Sequence, residues 1–297
     1  MTEETDPSVE TQSKTSKEEA QLLTSKVEII KESSTQIDGP HESTPLIVPP
    51  EANQRNSQPK RKNKKKNPER KRHGARNQHR HKKFVKWLVE TFDLKPNNIE
   101  GHILDVAGGK GEVSARLCMC HRQNTVMVDP RKADLVKCYE TLVYPKIPNK
   151  WQRRIDEKRK ENPNFVKDTL EGRFQQLVTT FDEYSITDKV DLQDALENAT
   201  LLLGLHADGA TEAIVDAALK LNKPFVVVPC CVFPNFFTSR QVQNEDGKLV
   251  PVRSHEQFCK YLAAKDERLQ IEELPFEGRN IAIWWNGISV KKSSLQQ

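Results

Sequence analysis

No phenylalanine, tryptophan or tyrosine precedes Phe84, and no cysteine precedes Cys118. A stretch of 83 residues without one aromatic side chain buries too little apolar surface to offset the entropy of ordering it, so disorder is expected there. No apolar run approaches the roughly 20 residues that cross a bilayer, and no membrane contact is expected. The first residues, MTEETDPSVE, are acidic and polar, unlike a secretory signal or an arginine-rich transit peptide. Without an export signal, the six cysteines read as thiols of a reducing, intracellular compartment. No internal repeat is present.

Net charge is also scarce, +5 over 297 residues, but it is unevenly spread. Residues 1–59 carry five Lys/Arg against eleven Asp/Glu, and residues 60–83 carry thirteen against Glu69 alone. The first segment therefore has a net charge of −6, the second +12, and the rest of the chain −1. Three segments follow: an acidic, Ser/Thr-rich disordered tail (1–59), a basic arm (60–83) and a globular domain (84–297). The arm, KRKNKKKNPERKRHGARNQHRHKK, is a run that attracts polyanions. RNA is the expected partner, and a nuclear import receptor is the other partner such a run suits. The nucleus, nucleolus included, is the expected location, with the cytoplasm as the alternative.

In the remainder, apolar residues at three- and four-residue steps predict a helix through HKKFVKWLVETFDL, ended by Pro96. HILDVAGGKGEVSARLCMC reads as strand, glycine turn and helix, and TVMVD as a second strand. GRFQQLV, ATLLLGL and PFVVVPC supply three more strands, and GATEAIVDAALKLN a helix between the last two. Residues 144–165 predict one exposed, charged helix. Ser254 and Gln257 form a capping box for HEQFCKYLAAKD. RLQIEELPFEGRNIAIWWNG reads as two closing strands joined at Gly278. Strand–helix–strand order in such short units means an α/β, Rossmann-like sheet, mostly parallel, with a C-terminal antiparallel hairpin.

Ligands of such sheets bind at the carboxyl ends of the strands, where strand order reverses. LDVAGGKGE places Asp105 at one strand end, with Gly108, Gly109 and Gly111 in the following turn. A dinucleotide site wants a third glycine where this chain has Ser114, and a phosphate disfavours a carboxylate at Asp105. S-adenosyl-L-methionine is cationic at its sulfonium and amino groups and suits that carboxylate. Asp129, ending the next strand, is placed for ribose hydroxyls.

LDVAGGKG, Asp129 and IEELPFEGRNIAIWW resemble the first motif, ribose position and closing hairpin of class I S-adenosylmethionine-dependent methyltransferases. LLLGLHADGATEAIVDAAL with VVVPCC resembles the methyltransferase-domain group that includes the tRNA 2′-O-methyltransferase of the acceptor stem. That group carries a cysteine where this chain has Asp208, and the first motif has glycine at Ala107. The resemblance implies that Asp105, Ala107, Gly108, Gly109, Gly111, Asp129 and Gly204 hold the cofactor. The loops after the fourth and fifth strands flank the crevice of such a sheet, so His206, Asp208 and one of Cys230 or Cys231 are expected to converge at the substrate mouth.

The chemistry of that mouth has several readings. His206, oriented by Asp208, would take a proton from the attacking group near its ordinary pKa. The same residues with one cysteine would suit zinc, and a cysteine alone could add to a pyrimidine. Both cysteines could equally be small packing residues. Because neighbours on a strand face opposite ways, Cys230 and Cys231 are expected to point apart. Phe233, Phe236 and Phe237 could stack on a splayed base. The Asn/Asp-Pro-Pro-Tyr/Phe signature of exocyclic nitrogen methylation is absent after ATLLLGL. The sequence therefore reads as a methyltransferase acting on RNA, either tRNA or rRNA. A protein methyltransferase that uses the arm for import, and a non-catalytic RNA-binding scaffold, are the alternatives.

Overall fold

The computed structural model describes residues 79–97 and 100–288, all within the unit Lys64–Gln297. The acidic tail and most of the basic arm lie outside the described residues.

Helix α1 (Arg80–Thr91) buries Phe84, Val85, Trp87 and Leu88 on one side and leaves Lys82, Lys83 and Lys86 exposed. It stops short of Pro96, because the chain turns at Asp93 with φ of 47°. The last four residues of the basic run are thus helical and folded onto the domain. Strand β1 (His102–Val106), helix α2 (Glu112–His121) and strand β2 (Thr125–Val128) follow. A crossover then runs through α3 (Leu135–Cys138), α4 (Asn149–Glu161) and α5 (Phe165–Glu171) to β3 (Phe174–Leu177). Helix α4 is the expected charged helix and buries no residue.

Helices α6 (Glu183–Asp188) and α7 (Val190–Glu197) lead to β4 (Ala199–Leu205), α8 (Thr211–Lys220) and β5 (Phe225–Val228). A small pair, β6 (Gln241–Gln243) and β7 (Leu249–Pro251), stands apart from the main sheet. Helix α9 (His255–Ala263) starts at the predicted capping box of Ser254 and Gln257. Strands β8 (Gln270–Glu273) and β9 (Ile281–Trp285) close the chain.

The main sheet has the order β3-β2-β1-β4-β5-β9-β8, with β9 antiparallel to both β5 and β8 and the other pairings parallel. Every residue of β2 and β5 is buried, as expected of parallel strands covered on both faces. Alternation divides the core. Ile103, Leu201, Leu203 and Val226 pack towards α1 and α2, while Leu104, Val106, Leu202 and Val227 pack with residues of α7, α8 and α9. Helix α1 is anchored by Trp87, edge-on to Trp284 with centroids 5.8 Å apart and Nε1 donating to Glu272 at 2.9 Å. Among the described residues, no helix is long and apolar enough to cross a membrane.

Phe84 is fully enclosed between α1 and the sheet. Phe84→Ala is expected to destabilise the domain by about 3–5 kcal/mol, read as a lower urea midpoint at unchanged slope. An unchanged midpoint would mean that α1 is not part of the cooperative unit.

Candidate active site

The sheet reverses its order between β1 and β4, and the loops leaving β1, β2, β4 and β5 crown that crevice. Asp105, the last residue but one of β1, lies on the face covered by α2, and its carboxyl is enclosed beneath the glycine loop, 1% exposed. Ser114 Oγ donates to it at 2.6 Å. Burial pushes its pKa up from 3.8 to about 6, against the Ser114 hydrogen bonds. A Cβ at Gly108 would lie 2.6 Å from Met127 Sδ and 2.9 Å from Asp105 Oδ2, so only glycine lets the loop lie over this carboxyl. Gly109 and Gly111 have φ of 61° and 79°.

Asp129 follows β2, and its carboxylate accepts from the Gly109 N–H at 2.9 Å and from the Arg131 N–H and Nε at 2.9 and 3.1 Å. Burial alone would push its pKa up, but the Arg131 and Gly109 hydrogen bonds outweigh it and hold Asp129 below its ordinary value. The Arg131 side chain is 79% exposed, so this ion pair is weak and displaceable.

Ala107 departs from expectation. Its φ is 55°, in the left-handed region where alanine carries a steric cost that glycine does not. Gly204 also differs in purpose. A Cβ there would meet Ile214 Cδ1 at 2.5 Å and Ala207 Cβ at 3.2 Å, so its missing side chain makes room for the core under β4, not for the crevice.

At the other half of the mouth, His206 and Asp208 leave β4 with φ of 60° and 50°, and Phe233 in the facing loop has φ of 49°. Non-glycine strain of this kind collects where surrounding packing dictates the backbone, commonly at functional sites. The structure corrects the expected pairing of His206 with Asp208. The His206 ring hydrogen-bonds the Arg279 backbone, its Nε2 is buried without a partner, and Asp208 instead accepts from Cys230 Sγ at 3.0 Å. Burial, then the charges of Arg80 and His81, lower the His206 pKa to about 4. His206 is therefore neutral near pH 7, with an Nε2 to which no described residue donates, and differs from the base near its ordinary pKa expected above.

The expected divergence of the cysteines also fails. Strand β5 ends at Val228, so Cys230 and Cys231 lie in the following loop, where strand alternation no longer applies, and their sulfurs are 3.6 Å apart. Both are free thiols. Burial and hydrogen bonding to Asp208 push Cys230 up to about 12, which leaves it a protonated and poor nucleophile.

Several residues that shape the site were not legible in the sequence. Arg240, 3% exposed, fixes the β5 exit loop: it donates to Glu212 at 2.6 Å and to the Val232 carbonyl at 3.0 Å, and lies 3.6 Å from the Phe237 ring centroid. His255 Nε2 lies 3.0 Å from the Pro229 carbonyl. Arg279, in the turn between β8 and β9, reaches this region from the far end of the chain. Of the three phenylalanines, Phe233 and Phe236 pack edge-on at 6.4 Å, and Phe236 remains 84% exposed. An open cavity of about 570 Å³ lined by Lys132, Leu135, Leu170 and Phe174 includes none of these site residues.

No protein-family model matches the chain, and no curated protein matches it. Solved structures with a similar course include the methyltransferase domain of bacterial CtHen1, at 11% identity and TM-score 0.36 over 70% of this chain and 97% of that one. An RNA methyltransferase from Salinibacter ruber bound to S-adenosyl-L-homocysteine aligns at 15% and 0.30 over 58% and 94%. Magnesium protoporphyrin IX methyltransferase from Synechocystis aligns at 10% and 0.38 over 75% and 90%. These likenesses are distant, and the functional reading rests on the residues of the site.

The strain at Ala107 makes a specific demand. Ala107→Val is expected to cost more than about 2 kcal/mol of stability, because a β-branched residue in that region is an outlier. Ala107→Gly should stay within about 1 kcal/mol, strain relief offsetting a lost methyl. Thermal unfolding of both variants checks the pair, and equal midpoints would refute the left-handed turn.

Proposed function

We propose that this protein is an S-adenosylmethionine-dependent methyltransferase whose methyl acceptor is an RNA. The observation that carries the cofactor reading is the pair of carboxylates, Asp105 and Asp129, ending adjacent parallel strands with the glycine loop between them. A pyrophosphate over this loop would face both carboxylates, and Glu112 sits in the first turn of α2, where an anion would otherwise be welcomed. A cationic ligand is attracted by the same groups.

S-adenosylmethionine, when bound, supplies an electrophilic methyl group on a sulfonium. Asp129 would take the ribose hydroxyls by releasing the exposed Arg131 side chain, while its bond to the Gly109 N–H keeps the loop in place. Asp105, once ionised, contributes negative potential under the loop. His206 is neutral and its Nε2 is buried and unpartnered, so substrate binding would have to uncover that atom before it could accept a hydrogen bond from the attacking hydroxyl or amine and align it. Methyl transfer depends on such alignment more than on strong base catalysis.

RNA is favoured by where the basic run ends. Arg80 and His81 belong to α1 and stand close enough to His206 for their charge to act on it, so the described end of the arm lies near the site. Phe236 is an exposed ring beside that mouth. Trp151 on α4, 52% exposed, carries Arg154 at 4.9 Å from its ring centroid, the combination of cation and stacking face used on single strands. Nuclear residence is proposed on the same basic run.

The test transfers labelled methyl from S-adenosylmethionine to total cellular RNA with the full chain. Label that is lost on ribonuclease treatment is expected. Label that survives ribonuclease and falls to protease would move the acceptor to protein. Asp105→Asn is the internal control. A carboxyl with a raised folded-state pKa contributes stability that is fully present below 3.8 and lost as pH rises through about 6. At neutral pH the ionised group therefore costs the fold up to about 3 kcal/mol, and the variant should melt at a higher temperature while losing transfer. Cofactor affinity of the wild type should fall as pH drops below about 6. Full transfer by the variant would remove Asp105 from the site.

A further inference from the structure

We infer that Asp208, Cys230 and Cys231 form a three-ligand site for a zinc-like divalent cation at the mouth between β4 and β5. Their ligand atoms all lie within 4.8 Å of one another. The two edges that meet at Cys230 approach those of a coordination tetrahedron. Zinc bound by sulfur at about 2.3 Å and by oxygen at about 2.0–2.2 Å sets sulfurs about 3.8 Å apart and sulfur and oxygen about 3.5 Å apart. Here the two sulfurs are 3.6 Å apart, and Cys230 Sγ is 3.0 Å from Asp208 Oδ1. A shift of roughly half an ångström would complete the geometry.

The donors are held from both sides. Asp208 is fixed by its left-handed backbone, and its carbonyl accepts from Thr211 Oγ1 at 2.9 Å. The cysteine loop is held by His255 at the Pro229 carbonyl and by Arg240 at the Val232 carbonyl. Asp208 and Cys231 are exposed and Cys230 is half-buried, so an ion has a way in. A shared cation would replace the thiol proton that now bridges Cys230 to Asp208, and its charge would offset the repulsion that two thiolates beside a carboxylate would otherwise feel.

The ligand types select the ion. Two thiolates exclude magnesium and calcium and favour zinc, with cobalt as its spectroscopic substitute. Binding releases one proton from each thiol, while Asp208 ligates as the carboxylate. Three protein ligands leave a fourth position open, as in catalytic zinc sites, available to water or to an oxygen of the substrate. The cation site stands independently of the cofactor, since none of its three ligands belongs to the Asp105–Asp129 half of the crevice.

The test is an anaerobic titration of Co²⁺ into the reduced, metal-stripped full chain. One equivalent is expected to produce a thiolate-to-cobalt charge-transfer band and the strong visible bands of a tetrahedral ion, both abolished by one equivalent of Zn²⁺. Cys230→Ser and Cys231→Ser should each remove about half of the charge-transfer intensity. Asp208→Asn should keep the band but weaken affinity by at least the roughly tenfold typical of disturbing a metal's surroundings. Cys120→Ser, at an exposed cysteine outside the cluster, should match the wild type, and circular dichroism confirms that each variant is folded. Absence of the charge-transfer band, or its persistence in the folded Cys230→Ser/Cys231→Ser double variant, would overturn the site.

Discussion

The parallel pairing of β1 with β4 is the constraint on which the rest of the molecule depends. The chain builds β1, β2 and β3 outward in one direction, then returns to lay β4 against the other side of β1. That reversal parts the loops above β1 and β4 and brings Ala107, His206 and Asp208 to the same rim. Each has a left-handed backbone without being glycine, as does Phe233 after β5. Such conformations cost about 1–3 kcal/mol each, and the largely buried strands below supply the packing that holds them.

The electrostatics of the crevice divide along the same line. The β1–β2 half is acidic and enclosed: Asp105 lies under the loop, and Asp129 is held by a backbone amide and an exposed arginine. The β4–β5 half combines a neutral imidazole, a carboxylate and two thiols. Glu112, in the first turn of α2, pairs with His81 of α1 at 3.1 Å and with Arg116 of its own helix at 2.7 Å. Burial, which would push the Glu112 pKa up, is overcome by these two partners, which hold it at about 2. The start of α1, and with it the end of the basic run, is therefore tied to the first turn of α2 beside the glycine loop.

Much of this was legible in the sequence, for physical reasons. Strands such as TVMV and FVVV are apolar throughout because both faces are covered, and Ser254 with Gln257 announces a helix start by local hydrogen bonding alone. The strand ends of Asp105 and Asp129 followed from the same runs. Sequence and structure differ where tertiary geometry overrides local pattern. The apolar run through VVVPCC predicts a strand that carries both cysteines on opposite faces, but β5 ends at Val228, two residues before Cys230. Alanine at 107 gave no sign of a positive φ. Arg240 and Arg279 act across the fold on the β5 exit loop and on His206, and no short-range spacing marks such contacts. The lowered pKa of His206 has its first cause in tertiary burial and its next in the charges of Arg80 and His81 on α1, none of which local spacing marks.

The central claim is that the acidic glycine loop selects a cationic nucleoside cofactor over a dinucleotide. The most direct measurement is calorimetric titration of the full chain at pH 7.5 with S-adenosylmethionine and, separately, with NAD. Saturable binding of S-adenosylmethionine at one site, lost in Asp129→Ala, with no heat from NAD, is the predicted result. Binding of NAD, or no binding of S-adenosylmethionine by a chain shown to be folded, would contradict it.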